Sequence, residues 1–263
     1  MSMRSLWTAA TGMSAQQTNM DVIANNLSNA STTGYKASRG NFEDVMYQTI
    51  AAPGADSSSS TKIPTGIQIG MGSKTVSVEK LFQQGNFTET DNRLDLAIQG
   101  NGFFKALNGS QEMYTRCGSF KTDQNGNIVD ASGYMLQPQI TLPQTAVTVT
   151  ISNTGQLTAT DATGKTVLST QMHLFNFMNP AGLQAIGKNY FITTDSSGTE
   201  IDTPPGGPEG MGTVLQGYLE ASSTNVVNEM VNMIMSQRAY EANSKVIKSA
   251  DEMLQIANNV VKS

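Results

Sequence analysis

The chain has 263 residues and a net charge of −5, with 14% charged residues against the roughly 25% usual in soluble proteins. No basic run marks a nucleic-acid partner, no stretch nears the about 18 consecutive apolar residues that span a bilayer, and a single cysteine, Cys117, excludes an intrachain disulfide. The neutral polar remainder suits a subunit covered by copies of itself, since small hydroxyls and amides lose little on desolvation when they find partners; a β-rich extracellular protein has the same composition.

The segment from Met1 to Gly12 carries one basic residue, no apolar core and no small-residue cleavage site. It is not a secretory signal peptide, and an exported form would keep it. Leu6, Met13, Met20 and Leu27 then recur every seven residues, with Ala10, Ile23 and Ala24 beside them. This predicts a helix from about Ser5 to Leu27, capped by Ser2 or Ser5 and interrupted by Gly12 at roughly 1 kcal/mol against Ala. The polar cluster from Ser28 to Gly34 competes for backbone hydrogen bonds and ends it.

Tyr35, Phe42, Val45, Met46, Tyr47 and Ile50 fit either helix or strand. Residues 51–65, with Pro53, Gly54, four serines at 57–60 and Pro64, read as a flexible extended loop of a length unusual inside a compact domain. From Gly66 to Leu219 the signals are those of strands. Val76 and Val78, then Leu94, Leu96 and Ile98, then Val147, Val149 and Ile151 alternate, and turn sequences at Gly100–Gly102, Asn125–Gly126 and Asn153–Gly155 punctuate the runs. This predicts an antiparallel β-barrel or sandwich.

The last helix begins near Thr224 or Asn225. Along it Val226, Met233, Tyr240, Ile247, Leu254 and Val261 keep the same seven-residue spacing, widened by Val246, Met253 and Val260. Such spacing holds one stripe toward a partner helix, so the two helices are expected to pair as a coiled coil. The later seam runs over about 35 residues, roughly 50 Å, more than the first helix can cover, which points to packing between subunits. The resulting fold is α+β. Residues 1–30 and 224–263 form the helical domain, 31–75 a connecting segment with a long extended loop, and 76–223 a β-rich domain.

No site chemistry emerges. A Cys–His dyad would need Cys117 and His173, the single residues of their kinds, and no third group supports them. Asp123–Asn127 opens like a calcium loop but misplaces its Gly and Glu. Gly100–Gly102 lacks the third glycine of a dinucleotide fingerprint and is followed by Phe103-Phe104. No enzyme activity, metal or cofactor is expected.

Asn25, Asn26, Leu27 and Asn29, followed by Thr33-Gly34-Tyr35-Lys36, resemble the N-terminal signature of bacterial flagellar rod and hook proteins. Glu229, Met230, Met233, Gln237, Arg238, Tyr240 and Asn243 resemble their C-terminal signature. The likeness continues through Asp95–Phe104, Tyr114–Arg116 and Gly118–Phe120, departing at Cys117, where an acidic residue is expected. Tyr47, Gln48, Pro53, Gly54, Pro64, Gly66 and Ile67 resemble a segment of the distal-rod branch that hook proteins lack. The resemblance implies a structural subunit that polymerises into a rigid helical tube crossing the periplasm and carrying torque from motor to hook. Its helices would line the bore and its β-domain the wall. Proximal-rod subunits would lie below and hook subunits above, with peptidoglycan- and outer-membrane-associated rings around it. Export would use the flagellar secretion channel without a cleaved signal. The alternatives are a proximal-rod or hook subunit, or a secreted β-rich adhesin, which would be a self-contained monomer.

Overall fold

The computed structural model describes residues 2–53, 56–58, 61–62, 64–207 and 211–262, with the side chains of 2, 56–58, 61–62 and 261–262 left aside. The chain divides into two units, one of Met1–Ser28, Ser38–Glu79 and Asn225–Ser263, the other of Asn29–Ala37 and Lys80–Thr224.

The first unit holds helices α1 (Ser2–Ser28) and α2 (Val226–Lys262). They run in opposite directions along one another, for Asn19 meets Ser236 and Asn26 meets Glu229. Asn225 caps α2, its side-chain oxygen accepting from the backbone N–H groups of Val227 (3.1 Å) and Asn228 (3.2 Å), which would otherwise be left without partners at the helix start.

Between the helices in sequence lie β1 (Ser38–Asp44), β2 (Tyr47–Ala51), β3 (Asp56–Ser58), β4 (Thr61–Lys62), β5 (Ile67–Gly70) and β6 (Ser73–Lys80). β1 pairs with β6, and the cross-strand ion pairs Arg39–Glu79 (2.6 Å) and Glu43–Lys74 (3.3 Å) show their opposite directions. The expected structureless loop is instead a ribbon. β2 pairs antiparallel with β5, Tyr47 opposite Gly70 and Gln48 opposite Ile69, with a bulge before Ala51, and β3 pairs with β4. The β-branched residues Thr49, Ile50, Ile67 and Ile69 favour extended backbone and outweigh the turn-forming residues between them. Tyr47, Ile50 and Ile67 are more than half exposed.

The second unit is β-rich. Its strands begin with β7 (Phe87–Glu89), β8 (Leu96–Gln99), β9 (Phe104–Asn108), β10 (Gln111–Thr115) and β11 (Phe120–Thr122). β12 (Ile128–Asp130), β13 (Met135–Gln137), β14 (Thr148–Ile151), β15 (Gln156–Thr160) and β16 (Thr166–Gln171) follow. The rest are β17 (Leu174–Asn176), β18 (Gln184–Gly187), β19 (Tyr190–Ile192), β20 (Ile201–Thr203), β21 (Thr213–Gln216) and β22 (Tyr218–Glu220). The largest sheet has seven strands in the order β11-β12-β13-β9-β10-β19-β18, and β14, β15 and β16 form a second, three-stranded one. Among the described residues this sheet runs from β11 to β18 and these two end strands do not pair with one another, so the barrel form of the expectation is wrong. The domain is built of open, mostly antiparallel sheets.

A closed barrel is unnecessary because the large sheet buries both faces. Phe104 packs with Leu96, Ile98, Phe120, Leu136 and Leu157, while its neighbour Phe103 points the other way into an aromatic cluster with Tyr114, Phe175, Phe177 and Phe191. Ring contacts there are edge-on, at 5.3 Å for Phe82–Phe103 and 4.8 Å for Tyr114–Phe177, a preferred aromatic geometry.

Two tyrosines are buried on opposite faces of this sheet, Tyr114 donating to Glu200 and Tyr190 to Asp130 (2.7 Å). Burial first, then the carboxylates, pushes both phenols far above their usual range. As pH rises past about 10 the unfolded chain releases these protons before the folded chain does. Their contribution is therefore whole below that pH and is lost above it. Urea midpoints measured from about pH 8 to 11 should fall in the alkaline arm, and the Tyr114→Phe/Tyr190→Phe chain should fall less steeply.

Candidate assembly surface

The seam between α1 and α2 is more polar than its apolar beat suggests. Asn19 Nδ2 donates to Ser236 Oγ at 2.8 Å, and Asn26 Nδ2 donates to Glu229 Oε1 at 3.2 Å. Gly12 lies under the Asn243 amide, where a Cβ would come within 2.9 Å of Asn243 Nδ2. These three meetings fall seven residues apart on each helix. Asn26, 1% exposed, also grips the start of β1: its Nδ2 donates to Ser38 O and its Oδ1 accepts from Ser38 N, both at 2.8 Å.

The second unit gathers another polar set in its interior. Glu220, 1% exposed, accepts from Lys36 Nζ (2.6 Å), Gln84 Nε2 (2.6 Å), Gly85 N (2.9 Å) and Arg116 (3.4 Å). Lys36 Nζ also donates to Gln83 O, and Arg116 to Gly100 O, both at 2.7 Å. Burial pulls the Lys36 ammonium below its usual value, the Arg116 charge adding to this and Glu220 opposing it. Gly34, at φ +69°, lies so close to the backbone of Arg116 and Cys117 that a Cβ would approach Cys117 N to 2.8 Å, so only glycine fits. Two cations thus share one carboxylate where the segment 34–37 meets β22.

Three family profiles match along the chain: "Flagella basal body rod protein" over residues 6–36, "Flagellar hook protein FlgE/F/G D1 domain" over 97–159, and "Flagellar basal body rod FlgEFG protein C-terminal" over 215–260. The flagellar basal-body rod protein FlgG of Caulobacter vibrioides is 48% identical over 262 residues, covering 98% of this chain and 99% of its own. That of Buchnera aphidicola subsp. Schizaphis graminum is 48% identical over 254 residues (95% and 97%), and that of Bacillus subtilis 36% over 257 (96% and 97%). The chain belongs to the flagellar basal-body rod protein family. It is a structural subunit of the flagellar distal rod, not an enzyme.

On the rod subunit's α1, Leu6, Met13, Met20 and Leu27 are half-buried and flank the seam, whose buried members are Ala9, Ala15, Ile23 and Asn26; Asn25 is exposed and Asn29 half-buried. On α2, Met233, Asn243, Ile247 and Leu254 are half-buried, while Val226, Met230, Gln237, Arg238 and Tyr240 are exposed. The apolar lines are therefore one edge of the contact. Its other line, Glu229, Ser236, Asn243 and Ala250, keeps the same spacing in residues that an apolar pattern does not register. The Val261 side chain and Gly54 lie outside the described residues.

On the ribbon Tyr47, Gln48, Pro53, Pro64 and Ile67 are exposed and Gly66 half-buried, and Arg4 donates to Gln48 Oε1 at 2.7 Å. A groove of about 430 Å³ between Arg4, Thr8, Ala9, Ile69, Gly70 and Val246 runs beside it. His173 Nδ1 is hydrogen-bonded to Asp202 Oδ1 (2.7 Å), and burial pushes the Cys117 thiol up. No helix among the described residues is long and apolar enough to cross a membrane.

Outside the seam, α2 exposes Val227 (69%), Met230, Val231, Ile234 and Met235 (64%), and beyond them Val246, Met253 and Ile256; α1 exposes Met3 and Trp7 (61%). Contiguous apolar side chains of this kind mark surfaces that other chains cover.

Glu220→Gln should leave two buried cations uncompensated and lower the stability of the rod subunit by about 3 to 5 kcal/mol, read from urea unfolding followed by aromatic circular dichroism. Lys36→Met should lower it less, because Arg116 and Glu220 remain paired.

Proposed function

We propose that α1 and α2 pair as an antiparallel coiled coil whose outer apolar face is covered by neighbouring copies, so that subunits stack into a rigid helical tube. The carrying observation is the second set of apolar side chains on α2, on a helix longer than its companion. With Asn26 at Glu229 and Gly12 at Asn243, about ten residues of α2, roughly 15 Å, run past the start of α1. An interface of this head-to-tail kind need not close on itself and so propagates. In this reading the helices line the bore, the β-rich unit forms the wall, and the tube crosses the periplasm and carries torque. Proximal-rod subunits lie below it, hook subunits above it and the peptidoglycan- and outer-membrane-associated rings around it, after export through the flagellar channel. The Tyr47–Ile67 ribbon adds a strap between subunits that limits their sliding.

Ile247→Asp places a carboxylate against α1, a cost of several kcal/mol if it stays charged. The β-rich unit should keep its cooperative melt while polymers, seen by electron microscopy, and motility are lost; normal rods from this variant would refute the helix-driven assembly. Deleting residues 46–66 should leave chains that still polymerise, into curved rather than straight tubes. Straight tubes of unchanged stiffness would reduce the ribbon to a linker.

A further inference from the structure

A purely apolar seam is promiscuous. Leu, Met and Ile lines at seven-residue spacing accept one another after a slip of one heptad, and α2 would accept a second α2. Polar groups inside such a seam narrow the choice, because each must find its partner or be buried without one.

Here the polar positions are complementary in kind. Asn19 donates a hydrogen bond to Ser236, Asn26 donates one to Glu229, and the space left by Gly12 is filled by Asn243. We propose that these three pairs are a selectivity element by which α1 accepts α2 in a single register and direction.

The alternatives each break it. Slipped one way by seven residues, Asn19 meets Asn243 with no glycine to make room, Gly12 faces Ala250 across a void, and Glu229 passes the end of α1. Slipped the other way, the amide of Asn26 is left beyond the start of α2. A parallel pair of α2 helices sets Glu229 against Glu229, a like-charge contact. Only the observed alignment satisfies all three levels at once. The device goes beyond tube formation but rests on the helix pair proposed above, so it is tested on dilute chains, where failure to polymerise does not enter.

Spin labels on cysteines replacing the exposed Gln17 and Ser249, in a Cys117→Ser background, would report the register by pulsed dipolar spectroscopy. The otherwise unaltered chain should give one narrow distance. Asn19→Leu/Ser236→Leu, which makes the seam apolar there, should add a population shifted by about 10 Å, one heptad of helix rise, or dimers by light scattering. The exchange Asn19→Ser/Ser236→Asn, which keeps one amide and one hydroxyl, should restore the single distance. A broad distribution without the seam substitutions overturns the proposal. So does a Leu/Leu chain that stays monomeric with one distance, or an exchange chain that resembles Leu/Leu.

Discussion

The helical unit hangs on one amide. It is assembled from three stretches separated by as much as the whole β-rich unit, and the side chain of Asn26 touches all three: it belongs to α1, forks onto both backbone groups of Ser38, and donates to Glu229 of α2. A buried amide stripped of partners is costly, far more than a well-made hydrogen bond is favourable. The N-terminal helix therefore fits its connection to β1 fully only once the far end of the chain has returned. That gives a physical reason for the two signatures to occur together, which composition and spacing alone do not supply.

The second unit follows the same logic with charge. Lys36, Arg116 and Glu220 come from three distant places and meet where water is excluded. Such a cluster is weak support for stability, since desolvation offsets most of the attraction, yet it tolerates the loss of its carboxylate poorly. Gly34 is needed beside it for space. Cys117, where the resemblance led one to expect a carboxylate, sits beside that cluster with its thiol held protonated by burial, which makes it a poor nucleophile.

The two helices were legible in the sequence because a seven-residue beat sustained over several turns has few other readings. The seam was half legible: Met233 and Ile247 announced themselves, whereas Glu229, Ser236 and Asn243 resemble a solvated face until Gly12, Asn19 and Asn26 are set against them. Individual strands such as β14 showed clean alternation. Phe103-Phe104 hid theirs, because a sheet buried on both faces carries apolar residues at successive positions. That the large sheet begins at β11 and ends at β18 without closing depends on non-local strand order, which no local pattern encodes. At the ribbon, Pro53 and the serines drew attention away from the β-formers Thr49, Ile50, Ile67 and Ile69.

Trp7 has an optical consequence. It is the single tryptophan of the chain and stands 61% exposed on α1. Indole emission therefore originates entirely from the helical unit and is silent about the β-rich unit, whose aromatic residues are tyrosine and phenylalanine. Emission maximum and quencher access thus read the covering of one helix face directly, in an unlabelled chain and in real time.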